Sequence, residues 1–111
     1  MINKLRKKLE IQIESIKKDN VIDESIYLDI FNKFTSEVIY FGMYINKIGL
    51  TFDNSLIYHL TKQNGDKVNL EIFNDDTYYM VYSVYSNGKL TERDSSDNII
   101  KIKNKLKNNV H

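Results

Sequence analysis

The sequence predicts an α+β domain: two N-terminal helices, an antiparallel β-meander of about four to six strands, and a C-terminal helix packed on the sheet. Three observations carry that reading. Apolar residues recur at helical spacing at the start of the chain, as Leu5, Leu9, Ile13 and Ile16. Further on the pattern turns to alternation broken by Asn64-Gly65 and Asn87-Gly88, and Asn-Gly between alternating runs is the strongest short hairpin signal. Helical spacing then returns at Ile99, Ile102 and Leu106. The 111 residues leave room for one core of ordinary size, so residues 1–111 are expected to form a single domain.

The first helix has one apolar stripe, Leu5 to Ile16, with Lys4, Lys7, Lys8, Lys17 and Lys18 on its other faces. Asp19-Asn20 interrupts it. A second helix starts near Asp23, whose carboxylate accepts orphan N–H bonds, and Glu24 favours the positive helix end. Ile26, Tyr27, Ile30, Phe31 and Phe34 supply its buried face. From Glu37 the periodicity shortens. Val38 to Ile45 is apolar on both parities and reads as a well-covered strand, with continuation of the second helix as the alternative. Residues 55–63 alternate through Leu56, Tyr58 and Leu60 and read as a strand, although Asp53-Asn54 also fits the cap of a short helix closed by Asn64-Gly65.

Val68, Leu70 and Ile72 lead into a turn at Asn74-Asp75-Asp76 and a return strand from Thr77 to Tyr85. A three-residue loop pairs Leu70 with Met80, Ile72 with Tyr78, and Glu71 with Tyr79. Met80, Tyr82 and Val84 are then buried with Leu70 and Ile72 beneath the first and last helices. Asn87-Gly88 turns into a short strand, Lys89 to Arg93, and Ser95-Ser96-Asp97 is placed to cap the final helix. Lys101, Lys103, Lys105 and Lys107 fall in its middle and last turns, where the helix dipole favours cations.

Composition excludes several classes of function. No run of about 18 apolar residues exists to span a membrane. Met1 to Lys8 is basic but lacks the apolar region of a signal peptide. The absence of cysteine rules out thiolate chemistry, disulfides and Cys-ligated zinc. His59 and His111 are the only histidines: too few for zinc without cysteine, and neither stands in a nucleophile–base pattern. His59 reads as a hydrogen-bonded or exposed residue on a strand face. There is no Glu-x-Lys of the restriction-nuclease type, and Asp75-Asp76 fits a turn better than a magnesium cage. Four glycines contain no phosphate-cradling loop. The expectation is a protein without catalytic residues, metal or cofactor.

Charge is distributed unevenly. The formal net charge is +1, yet residues 21–100 carry six basic against twelve acidic side chains. The excess of basic residues sits in the first twenty residues and the last helix. Asp53, Asp66, Glu71, Asp75 and Asp76, with Tyr79, are therefore the candidate partner-binding residues: opposite charge speeds encounter with a basic protein, and an aromatic supplies contact area at low entropy cost. The alternative of a nucleic-acid binder requires the two lysine-rich ends to meet in space. Helix-turn-helix, zinc and RNP signatures are all missing.

The run Leu70-Glu71-Ile72, Tyr78 to Val81, Asn87 to Arg93, Ser96-Asp97 and Ile99-Ile100 resembles the second half of small immunity proteins that accompany bacterial polymorphic and contact-dependent toxins. There a tyrosine-rich hairpin leads through G-x-x-x-x-R and a Ser/Thr-Asp cap into the last helix. The similarity spans about forty residues, and the aromatic final helix of some of these families is absent. The resemblance implies a cytoplasmic protein that neutralises one cognate toxin by stoichiometric binding. A nuclease toxin suits the acidic residues, since its phosphate-binding groove is basic. Missing catalytic machinery, and an absence of Pro and Ala beside abundant Lys, Asn and Ile that suggests an AT-rich gene, fit equally a phage-encoded inhibitor of a bacterial defence complex. Oligomeric state stays open.

Overall fold

The computed structural model describes residues 1–108, so His111 lies outside the described residues. Helices α1 (Ile2–Lys17) and α2 (Glu24–Ile39) precede five strands, β1 (Tyr44–Leu50), β2 (Ser55–Thr61), β3 (Lys67–Asp75), β4 (Thr77–Ser86) and β5 (Lys89–Ser96), and α3 (Ile99–Asn108) follows. The strands form one antiparallel sheet in sequence order. This is the expected α+β meander.

Alternation along the strands decides which face the helices cover. Leu56, Tyr58 and Leu60 on β2, Val68, Leu70 and Ile72 on β3, and Met80, Tyr82 and Val84 on β4 are buried. Of the residues between them, Ile57, His59, Asn69, Glu71 and Val81 are only half-buried, while Ser83 is buried. Successive side chains of a strand point to opposite faces, so one face carries the core and the other is left to solvent. Helix α1 packs on β1, α2 on β2 and β3, and α3 on β5, so β3 with Leu70 and Ile72 is covered by α2 and not, as expected, by the first and last helices. Leu5, Leu9 and Ile13 of α1, Tyr27, Ile30, Phe31, Phe34 and Val38 of α2, and Ile102 and Leu106 of α3 complete the core.

Two tyrosine hydroxyls of this core are paired. The Thr35 and Tyr58 hydroxyls lie 2.8 Å apart with both residues fully buried. The Tyr27 hydroxyl donates to the Thr51 carbonyl at 2.7 Å. Burial pushes the Tyr58 phenol well above the ordinary tyrosine range. Burial first, and then the facing Glu92 carboxylate, push Tyr82 up to about 12. At the sheet edge Gln12 binds β1 with both ends of its amide, donating to Ile48 O at 2.6 Å and accepting from Leu50 N at 3.3 Å. An edge strand exposes unpaired backbone, and this side chain satisfies part of it.

Three local expectations are corrected. Residues 38–45 do not form one strand: α2 runs on to Ile39 with Val38 buried on the same face as Phe34, and β1 begins only at Tyr44. Between them Phe41 N and Gly42 N donate to Val38 O and Ile39 O, and Gly42 takes φ +78, a left-handed conformation that glycine adopts without penalty. The β3–β4 hairpin closes more tightly than a three-residue loop. Asp75 pairs with Thr77 around a single left-handed Asp76 (φ 61), so Ile72 faces Met80, Leu70 faces Tyr82, Glu71 faces Val81 and Phe73 faces Tyr79. The shift is two residues, which preserves every face. Finally, Asn98 caps α3, its Oδ1 accepting from Ile100 N at 2.9 Å and Lys101 N at 3.3 Å, while Ser96 Oγ accepts from Asn98 N. Strand β5 continues past Arg93 to Ser96 and so takes up Ser95 and Ser96, two of the three residues expected to cap.

Other turns form as read. Asp23 caps α2 through a 3.1 Å bond from Ser25 N. Asn87 (φ 53) and Gly88 (φ 78) are both left-handed, the backbone of a type I′ turn.

Candidate functional site

In a meander, alternate turns fall at opposite ends of the sheet. The β1–β2 loop and the β3–β4 turn therefore share one end, and the β2–β3 loop lies at the other. That geometry gathers Asp53, Asp75 and Asp76, all exposed, into one acidic end.

The two loops are tied together. Asn74 N donates to Asn54 O at 3.0 Å, and Asn54 Nδ2 donates to Asp75 Oδ1 at 3.1 Å. Asn54 is left-handed (φ 58), a conformation asparagine tolerates better than most side chains. Inside the β1–β2 loop, Asp53 N donates to Thr51 Oγ1 and Thr51 N to Ser55 O, each at 3.0 Å. Helix α2 holds the turn from below: Asn74 Nδ2 donates to Ile26 O and to Asp29 Oδ2, both at 3.2 Å, and the Tyr78 hydroxyl donates to the same Asp29 oxygen. Lys33 lies over the Tyr78 ring, its Nζ 4.5 Å from the centroid. The Asp29 carboxylate raises the pKa of Tyr78, chiefly through that hydrogen bond. Phe52, 70% exposed, stands beside Asp53.

The other candidates lie elsewhere. Glu71 is half-buried on the uncovered face and accepts from Ser55 Oγ at 2.5 Å, while Ser55 Oγ also pairs with Thr51 Oγ1 at 2.6 Å. Its carboxylate is committed to satisfying a fully buried serine. Tyr79, 47% exposed, faces Phe73 across the β3–β4 ladder and donates its hydroxyl to Ser95 Oγ at 2.7 Å. Asp66 does not join the acidic end. It sits in the β2–β3 loop in a local turn with Asn64, nine residues or roughly 30 Å along the chain from Asp75.

Asp29, Phe52 and Phe73 belong to or border this region and were not expected there. Asp29 occupies an ordinary polar position on a helix, and only the Asn74 and Tyr78 contacts reveal its place. The lysine-rich helices do not meet: α1 covers β1 and α3 covers β5, at opposite edges of the sheet. Lys105 is engaged with Asp94 at 2.6 Å, and that bond holds the Asp94 carboxyl below the usual carboxylate range. His59 Nδ1 lies 2.9 Å from Asn69 Oδ1 on the uncovered face. Among the described residues, no three His, Asp or Glu side chains converge as metal ligands, and no helix is long and apolar enough to cross a membrane.

No family model matches the chain, and neither a curated protein nor a solved structure matches it.

Proposed function

We propose that this chain is a non-enzymatic inhibitor, an immunity-type protein that binds a bacterial toxin and blocks its substrate path. The partner is a nuclease with a basic phosphate-binding groove, and the complex forms in the cytoplasm, where such a toxin meets nucleic acid. The observation that supports this best is the acidic end: Asp53, Asp75 and Asp76 project from two loops bonded to each other and to α2. Carboxylates held this way oppose the charge that a nuclease presents to phosphates. A loop already ordered before binding loses little conformational freedom in the complex. Exposed Phe52 adds an apolar anchor beside the charges.

The test is titration of the purified chain into a basic nuclease toxin domain that cleaves a fluorogenic oligonucleotide. Inhibition should saturate at one chain per toxin. Reversing Asp75→Lys and Asp76→Lys together should slow association about tenfold at low salt, with the effect shrinking as salt rises. Association indifferent to the reversal at every salt concentration would overturn the reading.

A further inference from the structure

Away from the acidic end, the uncovered sheet face carries the opposite charge. Cross-strand register places Lys47, His59, Asn69, Ser83 and Arg93 in one row across all five strands. The next row, toward the β2–β3 and β4–β5 turns, is Tyr44, Thr61, Lys67, Tyr85 and Leu90. These ten side chains include three cations and no carboxylate. Lys47, Lys67 and Arg93 are exposed, and none takes part in an ion pair among the described residues. Lys67 Nζ donates to Thr61 Oγ1 at 3.1 Å, which leaves its charge uncompensated. Within β3 the nearest acid, Glu71, is turned to Ser55, and Asp66 in the preceding loop accepts from Asn64 Nδ2 at 3.2 Å.

We infer that this half of the uncovered face binds single-stranded nucleic acid. Phosphates lie against Lys67, Arg93 and Lys47, and a base stacks on Tyr85, which stands between Lys67 and Leu90 in the register. Charge complementarity selects a polyanion. The aromatic ring beside Lys67 selects one with flat, stackable groups, since base–aromatic stacking adds to phosphate contacts at such platforms. The sheet is open and projects neither a helix nor a ribbon that would enter a duplex groove, which favours single strands. Tyr79 lies on the same strand six residues from Tyr85, roughly 20 Å away, a span of about three extended nucleotides. The inference does not depend on the toxin reading, because it uses none of the residues at the acidic end.

Fluorescence anisotropy tests it with labelled 12-mers of oligo(dT) and oligo(U), a 12-base-pair duplex, and an oligoglutamate peptide of matching charge. Binding to either single strand is expected, weaker to the duplex and to oligoglutamate. Three phosphate contacts at about 0.7 counterions each give a salt slope near −2, or about a 20-fold loss between 50 and 200 mM salt. Arg93→Gln or Lys67→Gln should each flatten that slope by about 0.7. Tyr85→Leu should weaken binding at least about fivefold at both salt concentrations. Lys101→Gln with Lys107→Gln on α3 should change nothing. If Tyr85→Leu does not fold, amide shift mapping of the unsubstituted protein with oligo(dT) decides: shifts at residues 67–69, 83–85 and 90–93 support the site, and shifts confined to α1 or α3 overturn it. Absence of binding at 50 mM salt, equal binding of oligoglutamate, or loss with the α3 lysines instead of Arg93 also overturns it. None of these results bears on nuclease inhibition, which is read through Asp75 and Asp76.

Discussion

The Thr35–Tyr58 pair is a polar contact in the driest part of the core, and its worth can be measured. Both residues are fully buried and their hydroxyls are 2.8 Å apart. Tyr58→Phe keeps the ring and leaves the Thr35 hydroxyl without its partner. Thr35→Val keeps the shape and leaves the phenol without one, and threonine and valine have similar helix propensities, so α2 itself is unaffected. An unpaired buried hydroxyl costs about 1–3 kcal/mol, whereas replacing both partners by apolar groups of the same shape is nearly neutral. Taking about 1.5 kcal/mol for each single change and about 0.5 for the double, the interaction energy is about −2.5 kcal/mol. For a chain of this length each single change lowers Tm by about 6 °C. Guanidinium unfolding of the four proteins, with m unchanged across the set, measures the cycle. Additive single changes would refute the argument, because they would mean that each hydroxyl is satisfied elsewhere and the pair contributes nothing.

Replacing Met80 or Leu70 by Ala should cost about 2–5 kcal/mol in denaturant unfolding, since both sit at the sheet–helix interface. A change below about 0.5 kcal/mol would mean the covered face had been misassigned. Stability should also fall with alkaline pH. Unfolded tyrosines ionise near 10, whereas Tyr58 holds its proton above that and Tyr82 up to about 12. The unfolded chain therefore binds fewer protons once pH passes about 10, and stability drops by about 1.4 kcal/mol per pH unit for a fully buried phenol such as Tyr58. Unfolding titrations from pH 9 to 11.5 should show that slope, shallower in the Thr35→Val, Tyr58→Phe double variant. A flat profile would contradict it.

The elements most legible in the sequence are those where local chemistry and tertiary packing agree. Leu5, Leu9 and Ile13 form a stripe that fits only a helix, and Asn87-Gly88 fits only a tight hairpin. Val38 to Ile45 is different, because apolar residues at every position satisfy either period. The helix ends where Gly42 can turn left-handed, and one glycine is a weak signal beside seven apolar residues. The β3–β4 register shows a second limit. Buried faces were readable because a two-residue slip preserves parity, whereas the pairing of Phe73 with Tyr79 depends on how tightly Asp76 closes the turn. Of the candidate site, Asp53, Asp75 and Asp76 come together because their turns are alternate members of a meander. The same rule sends Asp66 to the far end, so its separation follows from topology and not from any property of the residue. Asp29 is brought in by Asn74 and Tyr78, contacts between residues more than forty positions apart that no local pattern records.

A net charge of +1 describes neither end of this molecule. Folding puts Asp53, Asp75 and Asp76 at one end of the sheet and, toward the other, three cations on the uncovered face that form no ion pair among the described residues. Along β3 the separation between Asp75 and Lys67 is roughly 27 Å. The Debye length at physiological ionic strength is about 8 Å, so exposed charges that far apart scarcely feel each other. Each patch then presents its own field to an approaching partner, with little cancellation from the other. The fold maintains this separation at little cost, because the helices occupy the opposite face and supply the core. The uncovered face and the acidic end contribute little to that core, so their composition is free to vary without unfolding the domain. Changing Asp75 and Asp76, or Lys67 and Arg93, should therefore alter binding while leaving stability near that of the unsubstituted protein, as surface positions do.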